Sequence, residues 1–320
     1  MPKKVRVAII GGGPAGLTAA LYTARAQLST VVFVGDRLGG QIASTDEVDN
    51  YPGFPEGITG PDLAERMKTQ AERFGAHFVW DLVQAVDFSS GSPFRIKSTD
   101  EEYLADAVIV TIGASPRKLG VPGEEQFTAR GVSWCATCDG WFFRGKDIIV
   151  VGGGDSALQE GIFLTKFANS VNIVHRRDEL RASVALQTRA KNNEKIKFTW
   201  NTVIDEIKGN GKVSGVVLRD LQSGQRQEVP VDGVFIFIGH DPNSDLFKGQ
   251  IAMDNDGYFL IDSHMRTSVE GVFAAGEIAD HTWKQAATSV GQGCAAAMST
   301  IHWLEEHEAT LQALEAEALG

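Results

Sequence analysis

The chain has 320 residues, of which 43% are hydrophobic and 22% charged, with a formal net charge of −11, 35 glycines and three cysteines. This length and composition suit a globular protein of two domains, each burying its own core. The acidic balance, without a basic stripe, argues against nucleic acid as a partner, and three cysteines do not make a disulfide-stapled secreted scaffold.

The N-terminal apolar run stops at Gly11, too short for a signal-peptide core or a membrane span. With so few cysteines, a reducing cytoplasm is the expected location. Residues 5–10 are apolar and largely β-branched, interrupted by Arg6, as expected of a parallel strand buried on both faces. They run into Gly11-Gly12-Gly13-Pro14-Ala15-Gly16, and an alanine-rich stretch, residues 17–26, is expected to be helical. Strand, G-x-G-x-x-G, helix is the context of a dinucleotide fingerprint. Gly11 would allow the tight turn, Gly13 the approach of a pyrophosphate, and Gly16 close packing of helix on strand. The phosphates would meet the helix N-terminus. The next expected strand, residues 30–34, ends at Gly35-Asp36. Asp36 is either a ribose ligand or a solvated loop aspartate.

Further along, residues 107–112 form an apolar strand that breaks at Gly113-Ala114-Ser115-Pro116. Then comes Trp134-Cys135-Ala136-Thr137-Cys138-Asp139-Gly140. A C-x-x-C pair can close a small disulfide ring and lower one thiol's pKa. The alternatives are half of a zinc site or a structural disulfide. Zinc needs four ligands, yet no second C-x-x-C follows and Cys294 stands alone, so no metal site is expected. Redox use is favoured. In Trp141-Phe142-Phe143-Arg144, three adjacent aromatics cannot all be buried by one periodic element. They are read as a docking loop, with core packing competing for each ring.

A second unit repeats the grammar: a buried strand expected over residues 147–151, Gly152-Gly153-Gly154-Asp155-Ser156-Ala157, and a helix expected through residue 167. A strand over residues 171–174 delivers His175-Arg176-Arg177, with Arg181 one helical turn on. Arginines stand where a ribose acid is expected. Their fixed fork of donors suits the 2′-phosphate of NADPH, the alternative being a solvated, basic helix start. Residues 231–238 and Gly239-His240-Asp241-Pro242-Asn243 repeat the strand-and-break pattern. The expected architecture is α/β, with two Rossmann-like three-layer domains. The first, residues 1–115 and 246–320, is interrupted by the second, residues 116–245. A strand and small-residue helix, residues 271–300, would close the first domain. The acidic tail, residues 304–319, is expected to be a helix without chemistry.

Together these residues resemble the low-molecular-weight, bacterial-type thioredoxin reductases, FAD-dependent pyridine nucleotide–disulfide oxidoreductases. The resemblance covers nearly the whole chain. It rests on both glycine fingerprints, Gly39-Gly40-Gln41, Asn50-Tyr51-Pro52-Gly53-Phe54, Cys135 to Gly140, His175 to Ala182, Gly239-His240 with Pro242-Asn243, and Gln285-Ala286 with Thr288-Ser289. It implies FAD along Gly11, Gly13, Pro14, Ala15, Gly16, Asp36, Gly40, Gln41, Asn50, Ala114, Gly276, Glu277, Lys284, Gln285 and Ala286. It implies NADPH on Gly152, Gly154, Asp155, Ser156, Ala157, His175, Arg176, Arg177 and Arg181. By the same resemblance Cys138 faces the flavin, and Cys135 exchanges with a separate thioredoxin. Asp139 is the general acid or base, or a turn residue. Family membership also implies a homodimer and an inserted domain that rotates.

The chain departs from the family at Glu277 (usually Asp), Lys284 (usually Arg), Trp283 (usually Tyr) and Trp141 (usually Phe). Cys294 is expected to be a buried, inert thiol. Rival readings are a flavin disulfide reductase with another protein acceptor, one fed by ferredoxin, and a flavin-bound redox sensor without turnover.

Overall fold

The computed structural model describes the backbone of residues 1–45 and 47–319, and side chains through Ala309. In chain order it begins β1 (Lys3–Ile10), α1 (Pro14–Arg25), β2 (Thr30–Phe33), α2 (Gly60–Glu72), β3 (His77–Val79), β4 (Val83–Asp87), β5 (Phe94–Ser98) and β6 (Glu102–Val110). A short strand β7 (Ala114–Pro116) leads to β8 (Val132–Ser133), α3 (Ala136–Asp139), β9 (Asp147–Val151), α4 (Asp155–Leu164), β10 (Ser170–Val174), α5 (Val184–Lys191) and β11 (Ile196–Thr199). There follow β12 (Thr202–Asn210), β13 (Lys212–Asp220), β14 (Arg226–Pro230), β15 (Gly233–Ile236), β16 (His240–Pro242), β17 (Val272–Ala274) and α6 (Ala286–Leu319).

The chain divides into two compact units, residues 1–115 with 241–320, and residues 116–240. In the first, the sheet order is β3-β2-β1-β6-β5-β4, and β17 also pairs with β6. β6 forks, taking β17 in parallel along Val108–Val110 and β5 antiparallel along its earlier residues. Alternation along β1 sends Val7 and Ile9 to a core shared with α1 and α6, and Ala8 and Ile10 to one built on Phe33, Phe94, Phe247 and Phe259. A sheet buried on both faces is why β1 is apolar at every residue from Val7 to Ile10.

The second unit has a parallel sheet, β11-β10-β9-β15-β8. One face packs α4 and α5 through Leu158, Leu164 and Ala190, and the other packs the antiparallel sheet β12-β13-β14 through Ile204, Ile207 and Val216. The three-layer expectation holds for both units. The two chain crossings, β7 and β16, pair as a two-stranded ribbon.

Some expectations change. The helix after the second fingerprint stops at Leu164, because the chain turns there to return Gly145 N to Phe167 O. No helix carries Arg181, since residues 176–183 are bends and irregular backbone and α5 begins at Val184. The segment is instead tied back by Arg181 N and Ala182 N, which both donate to Gly153 O. Cys294 is half-buried rather than buried, and it is hydrogen-bonded to Tyr22. The tail backbone is helical to Leu319, while the packing of residues 310–319 lies outside the described side chains.

Small residues hold α6 against α1. A Cβ on Gly293 would lie 2.2 Å from Ala15 O, so a side chain there must push the helices apart. Gly293→Val is expected to cost about 1–3 kcal/mol, measured by chemical denaturation.

Candidate active site

The turn between β1 and α1 has no room for side chains on its underside. Gly11 has φ +121°, and a Cβ there would lie 2.4 Å from Thr111 O. At Gly16 it would lie 2.0 Å from Gly11 O. The upper side is open: a Cβ on Gly13 would meet nothing within 4 Å. Gly13 is the N-cap of α1, no side chain caps it, and the first turn holds no acid. Pro14 supplies the fixed φ suited to the first helical turn. A helix start without a side-chain cap, its dipole and the open space at Gly13 suit a pyrophosphate.

Around this turn the structure gathers several of the expected residues. Gly40, in the left-handed region at φ +56°, would place a Cβ 3.7 Å from Gly13 Cα, so the loop lies against the fingerprint. Gln41 Nε2 donates to Ala114 O and, at 3.0 Å, to Glu277 Oε2. Asn50 Nδ2 donates to Gln285 Oε1 at 3.3 Å. Gly276 N donates to Gln292 Oε1 at 2.8 Å, and Ala286 opens α6. Burial pushes the Glu277 carboxyl up, opposed by Lys284 and the Gln41 bond. Burial pushes the Lys284 ammonium down, opposed by Glu277 and Asp280. Glu277 and Lys284 therefore support each other's charge in a half-buried place. Asp36 stands apart, exposed at the end of β2.

The second unit repeats the turn. Gly152, at φ +149°, would drive a Cβ to 2.4 Å from Phe237 O, whereas Gly154 faces open space. Gly154 caps α4. The Asp155 carboxylate, which would repel phosphate, is engaged: its Oδ1 accepts from Ser183 N at 2.6 Å. Ser156 is exposed in the first turn, and Ala157 is buried beneath it. His175 is buried, with Nε2 3.1 Å from Glu179 O. Burial lowers its pKa below the usual 6.5, and Arg176, Arg177 and Arg181 add to that. These three arginines are exposed. Among the described residues no carboxylate pairs with their guanidinium groups, which leaves their donors available for a phosphate.

Cys135 and Cys138 form a disulfide across one turn, Cα–Cα 5.3 Å. Cys135 caps the four-residue α3, and Cys138 N donates to Cys135 Sγ at 3.1 Å. Ser133 Oγ accepts from Cys135 N at 3.0 Å. Asp139 closes the turn, its N donating to Cys135 O at 3.1 Å. Burial pushes its carboxyl above the usual carboxylate range, with Ser133 opposing in part. Of the three adjacent aromatics, Phe143 is buried against Phe235 while Trp141 and Phe142 are exposed. Arg144 lies 4.4 Å from the Trp141 ring centroid. Sequence reasoning missed Thr111, Ser133 and Gln292, because a lone hydroxyl or amide carries no spacing signal. It missed Asp280 as well, although an aspartate in a short polar stretch is a turn signal: its Oδ1 accepts from Thr282 N and Trp283 N at 2.9 Å each, an Asx turn.

The sequence profile of the pyridine nucleotide-disulphide oxidoreductase family matches residues 5–293. A thioredoxin reductase of Mycolicibacterium smegmatis is 53% identical over 303 residues, covering 94% of this chain and 97% of its own. One from Bacillus subtilis is 48% identical, covering 97% and 98% respectively. The crystal structure of thioredoxin reductase from Streptococcus pyogenes superposes with a TM-score of 0.91 at 44% identity, over 96% of this chain and all of that one.

Two outcomes test the second unit. Changing Arg176 or Arg177 to alanine is expected to lower the preference for NADPH over NADH by about tenfold each, as for loss of a charged hydrogen bond; the ratio of kcat/KM values reads it. His175 has a lowered folded pKa, so the folded state loses stability as pH falls below the unfolded value of 6.5. His175→Gln, which cannot take up that proton, should lose less stability than the wild type between neutral and mildly acidic pH in urea unfolding.

Proposed function

The chain belongs to the pyridine nucleotide-disulphide oxidoreductases, and on that premise we propose that it is an NADPH-dependent thioredoxin reductase. It is a flavoprotein oxidoreductase, taking electrons from NADPH through FAD to the Cys135–Cys138 disulfide. The observation that carries the reading is this disulfide in the same unit as a fingerprint followed by three arginines that, among the described residues, pair with no carboxylate. The acceptor is thioredoxin. In support, a relative from Mycobacterium leprae, 50% identical over 94% of this chain, is a bifunctional thioredoxin reductase/thioredoxin.

The first unit fits FAD by its open, acid-free helix start and by the Gln41, Asn50, Glu277, Lys284 and Gln285 cluster. The second fits NADPH by the corresponding turn and the arginines. When bound, FAD supplies a two-electron relay between nicotinamide and dithiol. The chain's own residues do the rest. Once the disulfide is reduced, the Cys138 N–H on Cys135 Sγ favours the Cys135 thiolate. That thiolate attacks one sulfur of the thioredoxin disulfide, forming a mixed disulfide and expelling the other sulfur as a thiolate. Cys138 then attacks Cys135 Sγ, restoring the enzyme disulfide and releasing the second thioredoxin thiolate. Two electrons leave in all. Asp139, next in the chain to Cys138 and kept protonated to higher pH by burial, gives and recovers a proton at these sulfurs.

Serving nicotinamide, flavin and a protein in turn asks the units to reorient, and both crossings between them run through the β7–β16 ribbon. The exposed Trp141 and Phe142 are the docking residues for the acceptor. The enzyme acts as a cytoplasmic homodimer, a state that sedimentation measures. No helix among the described residues is long and apolar enough to cross a membrane.

NADPH oxidation with oxidised thioredoxin tests the reading. The wild type is expected to turn over. Cys138→Ser is expected to keep flavin reduction by NADPH yet lose thioredoxin turnover at least a thousandfold. Normal turnover by the variant would falsify the relay.

A further inference from the structure

The two units are related by more than their fingerprints. In each, the fingerprint follows the first strand (β1, β9), and the residues expected to meet a ribose or its phosphate, Asp36 in one and Arg176 and Arg177 in the other, follow the second (β2, β10). A third parallel strand lies beyond (β3, β11). The join between second and third strands is the same in both. Val34 N donates to Val79 O at 2.9 Å, and His175 N donates to Thr199 O at 2.9 Å. In each unit the accepting residue is the last of its strand, and the residue after it is a tryptophan: Trp80 and Trp200. The motifs of neither fingerprint require this.

The surroundings differ. Trp80 is 60% exposed, a large apolar ring in water beside the C-terminal ends of parallel strands. Leu82 lies near it, its Cδ2 3.6 Å from where a Cβ on Gly35 would stand. Trp200 is half-buried, stacked on Phe198 with centroids 5.1 Å apart and planes 5° apart. Its neighbour Asn201 donates from N to Arg177 O at 3.2 Å, which ties it to the arginine segment.

The direction of a bound dinucleotide follows from the strand order. Pyrophosphate sits at the helix after the first strand, and the adenosine ribose is read after the second. The base, carried on the far side of that ribose, then lies toward the third strand. We propose that Trp80 and Trp200 hold the adenine rings of FAD and NADPH respectively, each by its indole face. An indole stacks well on a purine, and its area is removed from water when it does so. Trp200 is pre-set for this by Phe198, and Trp80 gains its cover from the flavin nucleotide. This assignment rests on the reading of the units as FAD and NADPH sites.

Binding, rather than turnover, tests it. FAD and FMN are titrated into apoprotein, and 2′,5′-ADP and reduced nicotinamide mononucleotide into the FAD-loaded enzyme. Trp80→Ala should weaken FAD about tenfold and leave FMN unchanged, and Trp200→Ala should weaken 2′,5′-ADP about tenfold and leave the mononucleotide unchanged. Phenylalanine at either position should restore most of the affinity. Equal losses for ligands with and without adenine would mean a structural role and overturn the assignment, as would no loss at all. If an alanine variant does not fold, the phenylalanine variants decide: adenine ligands should quench indole emission in the wild type, and that component should vanish in Trp80→Phe or Trp200→Phe. Unchanged quenching overturns the assignment. Wild-type protein that binds neither FAD nor 2′,5′-ADP overturns the cofactor reading itself, whereas wild-type binding retained by both variants overturns only the tryptophans.

Discussion

Everything in this molecule hangs on one steric constraint, met twice. Where the first strand of each unit turns into its helix, the backbone passes so close to the end of a neighbouring strand that a Cβ has no place. At Gly11 the obstacle is Thr111 O, at Gly152 it is Phe237 O, and the distance is 2.4 Å in both. Both residues also hold positive φ, which glycine takes without strain. The close approach aims the helix N-terminus at the crest of the sheet, and the open side of Gly13 and Gly154 leaves that N-terminus bare. Charge, dipole and space for a phosphate follow from a clash that forbids side chains underneath. The units solve the third fingerprint position differently. Gly16 has no room above Gly11 O, whereas the second unit accepts Ala157, a methyl buried among the α4 contacts.

With the phosphate positions set, local charge separates the two sites. The first unit offers a half-buried carboxylate–ammonium pair, Glu277 and Lys284, whose members counter each other's desolvation. The second leaves three guanidinium groups in solvent and ties the acid of its helix start, Asp155, to a backbone N–H. The fixed donor forks of these guanidinium groups suit a 2′-phosphate. The dithiol needs neither arrangement. It depends on a single turn in which one sulfur accepts a backbone N–H and a buried carboxyl closes the ring of contacts.

Much of the fold was legible because its signals are local. The apolar, mostly β-branched residues of 7–10 and 148–151 read as strands buried on both faces, and the glycines after them mark the turns. Where the reading failed, a long-range contact had overridden local propensity. Residues 176–183 look like a helix start, yet Arg181 N and Ala182 N are taken by Gly153 O, over twenty residues earlier. Cys294, in a stretch of small residues, reads as buried, but the helix presents it at a half-exposed position beside Tyr22. The aromatic trio could not be divided by pattern. Phe143 is inside because the absence of a side chain at Gly233 leaves space for its ring, 2.2 Å from where a Cβ would stand.

The amino-acid sequence by itself determined the two nucleotide units, the order in which the chain visits them, the redox pair and the coenzyme's phosphate. Each of these is written in residues adjacent along the chain, where covalent geometry and spacing already constrain the outcome. Only the tertiary structure decided which polar groups converge: Gln41 with Ala114 and Glu277, Asn50 with Gln285, and Gly276 with Gln292. It also placed a tryptophan at the same join in both units. Partners separated by as many as 236 positions meet only because two faces of a sheet must be covered, and no periodicity in the chain records which side chains that covering brings together.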